Sequence, residues 1–536
     1  MPQKYLNKIL NTRVYDVAIE SPLNEAPGLS ARLNNNVLIK REDLQPVFSF
    51  KLRDAYNKLM NMPEAARKKG VIAASAGNHA QGVALAASRM NVPATIVMPQ
   101  TTPEIKVNAV RKWGGKVVLN GDDFATAYTK ALEIIDKKGL TLLHPFDDPD
   151  VIAGQGTVGM EILRQHMGDI HAIFVPIGGG GLATGVAAYV KAIRPDIKII
   201  GVEASDSASM YHSLKAGRRI ILDQVGIFAD GVAVAQVGKE TFRLARKLID
   251  EVVLADVDQM CAAIKDLFDD TRAIAEPSGA LAIAGMKIYA GRKRLKGRTM
   301  IAVNSGANVN FDRLRHISER AEIGEAREAL FAVTIPEKKG SFRKFCKILG
   351  KRSVTGFNYR YSDLADAQIF VGVGLTDGGA KRLLILKTLR KNGYTVRDLT
   401  DNDMAKLHIR HMVGGHPPNI GDERVYRFEF PERPGALMNF LTHIGERWNI
   451  SLFHHRNHGS AYGRVLCGVQ VPAADERAFQ SFLDTLGFGS VKISAATGRH
   501  FAIAATKRGV VDLRPCDSER ENSDQHLNTA QMSVGR

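Results

Sequence analysis

Cysteine is scarce in this chain: Cys261, Cys346, Cys467 and Cys516 are its whole complement among 536 residues, and they lie far apart. Such scattering argues against a disulfide framework and a zinc site, both of which need cysteines at close, repeated spacing. No other cluster of metal-ligating side chains stands out, so no metal is expected. A secretory leader is not expected either, because Met1 to Glu20 is interrupted by Lys4, Lys8, Arg13 and Asp16. Ile170 to Val190 carries no Lys, Arg, Asp or Glu, but Pro176 and four glycines break it as a bilayer-spanning helix. These absences point to a soluble, cytoplasmic protein without membrane contact.

The charge is unbalanced, with 73 Lys and Arg against 56 Asp and Glu, a net +17. Arg292-Lys293-Arg294-Leu295-Lys296-Gly297-Arg298 invites a nucleic-acid reading. No nucleic-acid motif accompanies it, and the run reads as a solvated loop before a strand at Thr299–Val303. An anionic cofactor or an acidic partner remains compatible with the charge. Apolar content of 45% and charged content of 24% are those of an ordinary globular chain, and the length fits three or four domains.

Two features carry chemistry. Lys51 sits in Ser49-Phe50-Lys51-Leu52-Arg53, between apolar neighbours, and offers an amine for a Schiff base. Gly178-Gly179-Gly180-Gly181-Leu182 follows the apolar run Ile173–Ile177, which reads as a buried strand, and precedes a helical stretch to Ile193. Glycines between strand and helix let backbone N–H groups converge on an anion, helped by the helix dipole. The Walker arrangement is absent, since no Gly-Lys-Ser/Thr follows. Alone, the glycine run also fits a flexible turn or a dinucleotide loop. Together with the lysine it calls for a cofactor bearing an aldehyde and a phosphate, and pyridoxal 5'-phosphate (PLP) is one.

The first three-fifths alternates strands with helices. Strands are expected at Val37–Lys40, Val71–Ala74, Ala94–Met98, Lys116–Leu119, Lys198–Val202, Val252–Leu254 and Met300–Val303. Helices are expected at Lys51–Met60, Asn78–Met90, Pro103–Trp113, Phe124–Lys137, Val257–Asp270 and Ser278–Tyr289. Alternation of this kind implies an α/β fold, parallel sheets with helices on both faces and ligands at the carboxyl ends of the strands. Ser75-Ala76-Gly77-Asn78-His79 and Asn304-Ser305-Gly306-Ala307-Asn308 occupy such ends.

Lys40-Arg41-Glu42-Asp43, the Lys51 segment, Ser75–His79, the glycine loop, Glu276-Pro277-Ser278-Gly279 and Ser305–Asn308 occur in that order. The series resembles the PLP-dependent threonine and serine dehydratases, of the tryptophan-synthase β-subunit fold type (fold type II). The resemblance implies that Lys51 holds PLP and then takes the α-proton of threonine. It implies that Gly178, Gly179, Gly180, Gly181 and Leu182 bind the phosphate, that Asn78 binds the 3′-oxygen, and that Ser305 faces the pyridine nitrogen. Ser75, Gly77, Asn78 and His79 would receive the substrate carboxylate, although His79 is more readily a structural residue and Asn78 also suits a helix N-cap. Two positions depart from the family pattern. Asp54 stands where a glycine is common, and a carboxylate there threatens cofactor binding. Phe48 replaces a histidine of some relatives, a change expected to be conservative in packing.

The last two-fifths repeats itself. Ile335-Pro336-Glu337-Lys338-Lys339-Gly340-Ser341 recurs as Phe430-Pro431-Glu432-Arg433-Pro434-Gly435-Ala436, Pro336 to Pro431 being 95 residues. Gly372 matches Gly468 at 96. Each copy reads as a βαββαβ, ferredoxin-like α+β unit. Hairpins are expected at Asn358–Tyr361 with Ile369–Leu375, and at Ser451–Arg456 with Val465–Val471. A repeated unit of this kind resembles the ACT-like regulatory domains of the long, biosynthetic threonine ammonia-lyases. That resemblance implies deamination of L-threonine to 2-oxobutanoate, with L-serine as a further substrate, inhibition by isoleucine, activation by valine and a homotetramer. Arg360 or Arg456 is a candidate for the effector carboxylate, with an ordinary surface arginine as the alternative.

The expected domains are a catalytic region at 1–320, its smaller subdomain at about 45–150, regulatory units at 329–401 and 424–495, and a polar, disordered tail at 507–536. Arg315–Arg327 and Pro417–Asp422 are read as linkers. Two other readings stay open: a serine dehydratase or racemase or a threonine synthase of the same fold, and an inactive amino-acid sensor with Asp54 as the damaging change.

Overall fold

A computed structural model describes residues 2–324 continuously and, beyond them, residues 327–336, 344–345, 348–349, 354–358, 366–375, 379–402, 405, 423–431, 448–456, 462–485, 489–492, 504–505 and 511–512. Two compact units divide after Gly324.

The strands of the first unit are β1 (Leu23–Glu25), β2 (Asn36–Arg41), β3 (Val71–Ala74), β4 (Ala94–Met98), β5 (Lys116–Leu119), β6 (Thr141–Leu142), β7 (Ala172–Pro176), β8 (Lys198–Ala204), β9 (Glu251–Ala255) and β10 (Thr299–Asn304). A six-stranded sheet runs β1-β2-β10-β7-β8-β9, parallel except at the β1 edge. A smaller, wholly parallel sheet runs β5-β4-β3-β6. β3 and β7 are buried along their whole length, as their unbroken apolar runs require when helices cover both faces.

The expected strands at 71–74, 94–98 and 116–119 recur at those residues. The short β1 and β6, and the helices Pro149–Gln165, Ser209–Ala216 and Lys239–Leu248, were not foreseen. Two readings need correction. The helix Pro277–Lys293 runs into the basic cluster, so Arg292 and Lys293 sit at a helix C-terminus, where cations suit the dipole, and Arg292 pairs with Glu251. The stretch from Arg315 to Gly324 is helical rather than a linker. Its Ile317 and Ala321 pack into the main core and its Arg320 pairs with Asp258. Pro417–Asp422 lies outside the described residues.

The second unit contains β11 (Glu328–Pro336), β12 (Val354–Asn358), β13 (Asp366–Gly374), β14 (Thr395–Asp398), β15 (Glu423–Pro431), β16 (Asn449–Arg456), β17 (Tyr462–Gln470) and β18 (Gly489–Lys492). They form two antiparallel sheets of identical order, β12-β13-β11-β14 and β16-β17-β15-β18. The copies agree even in irregularity, for the hairpin register slips between Val354 and Gly356 in one and between Ile450 and Leu452 in the other. The helices Gly379–Lys391 and Glu476–Thr485 follow the central strands, and each sheet has its own apolar core. Of the tail 507–536, only Val511–Asp512 is described, paired with Ala504–Ala505.

Candidate active site

Lys51 opens the helix Lys51–Met60, and the packing of that helix fixes where its amine can be. A Cβ on Gly82 would stand 2.4 Å from the Lys51 carbonyl oxygen, and one on Gly154 would stand 2.5 Å from that of Arg53. Two neighbouring helices therefore press on the backbone of this first turn, one at Lys51 and one at Arg53, at a distance only glycine permits. Two residues on, Arg53 is fully buried, donating to Glu42 at 2.8 Å and Glu161 at 2.5 Å, while Lys40 pairs with Glu161 at 2.6 Å. Burial alone would make Arg53 easier to deprotonate, but the two carboxylates outweigh it and hold the guanidinium charged. The Lys40–Asp43 motif is thus an anchor for the lysine-bearing helix.

The Lys51 ammonium lies 2.6 Å from the Pro145 carbonyl oxygen and 3.4 Å from Asp54 Oδ2. The glycine loop comes to the same place through two intermediaries. Gln155 donates to Asp54 through Nε2 and keeps its Oε1 beside Gly181; Phe146, next to Pro145, lies against Gly179. Gly180 has φ +96°, and a Cβ there would meet the Met210 methyl at 2.8 Å, so the turn demands glycine. Thr241 and Thr184 hydroxyls each donate at 2.7 Å, to the Gly179 and Gly180 carbonyls respectively, and pin the loop. The helix Gly181–Ile193 starts here, with buried Leu182 in its first turn, and the leading N–H groups of a helix have no intrahelical partner. That is an anion site by construction.

Asn78 begins the helix Asn78–Arg89, with no side-chain cap at its preceding residue, Gly77. Its amide does something else: Nδ2 donates to Glu276 Oε1 at 2.5 Å, and Oδ1 accepts from Asn308 Nδ2 at 2.7 Å. Asn308 is itself tied to the Val47 carbonyl at 2.8 Å, so the Asn78 amide is held at both ends with one N–H to spare. Burial, with Asp230 nearby, pushes the Glu276 carboxyl up to about 7. Ser305 follows β10 directly, buried, its hydroxyl donating to the Ser278 carbonyl at 3.3 Å. The chain around it is stitched to the Lys51 segment. Ser49 and Gly306 form an isolated antiparallel bridge, Phe50 N–H donates to the Ser305 carbonyl at 3.3 Å, and Ala307 N–H to the Phe48 carbonyl at 2.8 Å.

Ser75 and Gly77 lie in the turn after β3, where the Gly77 N–H reaches the Ser75 hydroxyl at 3.3 Å. His79 is buried, its Nε2 2.9 Å from the Leu143 carbonyl oxygen. His144 approaches the same region, and burial pulls its imidazole down to about 4 in spite of Asp147, leaving it neutral. Phe48 is 58% exposed with φ +55°, so its contribution is a left-handed turn rather than packing. The sequence reading passed over Gln155, Pro145 and the partner roles of Asn308 and Glu276. Asp54 three residues after Lys51 was the one available signal. Of the effector candidates, Arg360 lies outside the described residues, and Arg456 closes β16.

An amine at one end and a pinned helix N-terminus at the other, with the buried Ser278 hydroxyl and Gln155 Oε1 lacking hydrogen bonds among the described residues, fit an aldehyde that carries a phosphate. Among the described residues no group of side chains could hold a metal ion, and no helix is long and apolar enough to cross a membrane.

Comparison with known proteins agrees with the geometry. Residues 14–306 match the pyridoxal-phosphate dependent enzyme family, and residues 319–409 and 414–498 each match the C-terminal regulatory domain of threonine dehydratase. The chain is 59% identical over 494 residues to an L-threonine dehydratase biosynthetic IlvA of Burkholderia multivorans, covering 92% of this chain and 97% of that one. It is 53% identical to the same-named protein of Escherichia coli, over 90% of this chain and 94% of that one. Among solved structures, the processed form of threonine deaminase isoform 2 from Solanum lycopersicum matches with a TM-score of 0.59 at 55% identity, covering 60% of this chain and 88% of that one. A maize serine racemase matches at 0.55 and 30% identity, covering 58% of this chain and 95% of its own. The chain belongs to the pyridoxal-phosphate-dependent biosynthetic threonine dehydratases, with their regulatory domain present twice.

Proposed function

We propose that this protein deaminates L-threonine to 2-oxobutanoate and ammonia by β-elimination, as the entry step of isoleucine synthesis, and that isoleucine acting on the repeated unit restrains it. The observation that carries the reading is the Lys51 amine, fixed between Pro145 and Asp54 with the glycine turn alongside. Bound PLP supplies an electron sink that acidifies the α-C–H of an attached amino acid. Lys51 Nζ accepts that proton. The Gly178–Leu182 amides and the helix dipole hold the phosphate. The spare Asn78 N–H would hold the cofactor's ring oxygen and the uncharged Ser305 hydroxyl its ring nitrogen, and a hydroxyl rather than a carboxylate there would make a weaker electron sink, favouring prompt loss of the β-hydroxyl over racemisation. The turn at Ser75–His79 takes the substrate carboxylate. Loss of water leaves an enamine, which tautomerises and regains water to yield ketoacid and ammonia, so atoms balance.

A racemase of the same fold is the competing reading, and the serine racemase likeness covers only the catalytic unit. The doubled regulatory match favours the lyase. We assign isoleucine and valine as effectors, with Arg360 or Arg456 meeting their carboxylate, a cytoplasmic location and a homotetramer. The test is ketoacid release from threonine and from serine, with and without isoleucine. Threonine preferred and isoleucine inhibitory is the expected result. D-serine formation in place of ketoacid would overturn it.

A further inference from the structure

Asp54 is fully buried in the first turn of the Lys51 helix. Its Oδ2 faces Lys51 Nζ at 3.4 Å and accepts a hydrogen bond from Gln155. Its Oδ1 has no hydrogen bond among the described residues and lies 3.9 Å from His79 Nδ1, which also has none. The other nitrogen of that imidazole, Nε2, is 2.9 Å from the Leu143 carbonyl oxygen. A carbonyl only accepts, so Nε2 carries a hydrogen, and in the neutral ring Nδ1 is then an acceptor as well. Two buried acceptors therefore face each other at 3.9 Å, beyond hydrogen-bond length and within ion-pair reach once one of them carries a proton. Leaving both unpaired would cost on the order of 1–3 kcal/mol for each group.

The remaining groups around the pair do not supply that proton. From the Pro149–Gln165 helix comes only the neutral amide of Gln155. From the segment after β6 comes His144, which faces both His79 and Lys51, and whose Nδ1 is occupied in accepting from the Asp147 N–H at 2.9 Å. Asp147 itself is turned away, accepting from the N–H groups of Lys239, Glu240 and Thr241.

We infer that Asp54 and His79 share one proton, carried on Oδ1 or Nδ1, as a positioning pair behind Lys51 whose other carboxylate oxygen, Oδ2, is the fixed counter-charge of the Lys51 nitrogen. This rests on Lys51 being the reactive amine. The α-proton taken by Lys51 Nζ then resides as an ammonium against Oδ2, and no proton leaves the pair during the reaction. That carboxylate oxygen stands 3.4 Å from the Lys51 nitrogen, and an opposite charge within about 4–6 Å favours the charged form of a cation. The carboxylate that departs from the family pattern thus becomes part of the machinery and does not disable it.

The test uses the full-length protein, Asp54→Asn, His79→Asn and the double variant, each loaded with PLP. Visible absorption near about 410–420 nm is followed from about pH 6 to about pH 10, and borohydride fixation on Lys51 reports loading. The pair predicts a midpoint about one unit lower in Asp54→Asn, a shift in His79→Asn, and a double variant that moves no further than the larger single change. An unmoved midpoint in Asp54→Asn with Lys51 still labelled, or shifts that add in the double variant, overturns it. Where Asp54→Asn does not load, the same pH series is read on the cofactor-free proteins by acylation of Lys51 mapped by mass spectrometry, with the same two outcomes. An unsubstituted protein that leaves Lys51 unlabelled by borohydride removes the functional reading itself, and the pair with it.

Discussion

The two units treat charge in opposite ways. Around Lys51 the protein buries it: Lys40, Glu42, Arg53 and Glu161 form one network closed to solvent. In the regulatory unit the pair of Arg424 with Glu476 and that of Arg382 with Asp401 reach the surface, and the pair of Arg382 with Asp398 is partly buried. A buried network tolerates no intermediate arrangement, because any rotation strands a charge in a low-dielectric interior. Surface pairs can exchange with water and repack at small cost. The contrast fits a lysine held in one place in one unit and sheets free to adjust in a unit that matches a regulatory domain.

Substitutions can break that contrast in order of size. Lys51→Ala should lower threonine turnover by at least ~10³-fold and abolish the visible absorption, since no other amine replaces it. Absorption that persists at full strength would refute the assignment. Arg53→Ala leaves Glu42 and Glu161 buried without their partner and should cost about 3–5 kcal/mol in denaturant unfolding. Arg424→Ala, exposed by comparison, should cost no more than about 1 kcal/mol. Equal costs would erase the distinction drawn between the units.

Glu203 sharpens it from another side. It is fully buried at the end of β8, accepts only from the Met210 and Tyr211 backbone N–H groups, and is pushed by burial up to about 8. A carboxyl raised above its unfolded value favours folding while protonated, so this contribution is complete below about pH 4 and is lost as pH rises through about 8. Glu203→Gln should flatten the fall in melting temperature between about pH 5 and about pH 8, an effect of about 3 kcal/mol at most. Glu276, raised for the same reason, keeps part of the slope in the variant. A slope identical to that of the parent would refute the assignment. The smallest change in catalysis should come from Arg360→Ala and Arg456→Ala, which leave turnover intact and weaken inhibition by isoleucine. Inhibition unchanged in both would remove them as effector ligands.

What the sequence disclosed followed from locality. β3, β4 and β5 are short apolar runs with turn residues at each end, and their limits could be read directly. β1 and β6, two or three residues long and partly exposed, offer no such period. The helix Pro149–Gln165 was hidden by Gly154, Gly156 and Gly159, which depress helix propensity; Gly154 is there for the close approach to Arg53. In the site, motif residues were legible because each lies in one strand-end loop. Gln155, and the contacts that Asn308 and Glu276 make with Asn78, were not, because the partners lie about 100 to 230 residues apart in the chain and only packing brings them together.

The rung between Ser49 and Gly306 reaches further than its size. Main-chain hydrogen bonds, rather than side chains, set the separation between the lysine segment and the serine turn that follows β10. Exchanging Phe48 or Phe50 for another residue leaves that spacing untouched, whereas a proline at position 50 would remove the donor to Ser305 and let the two walls drift independently. The gauge of the active site is therefore insured against most point mutations and exposed to one kind.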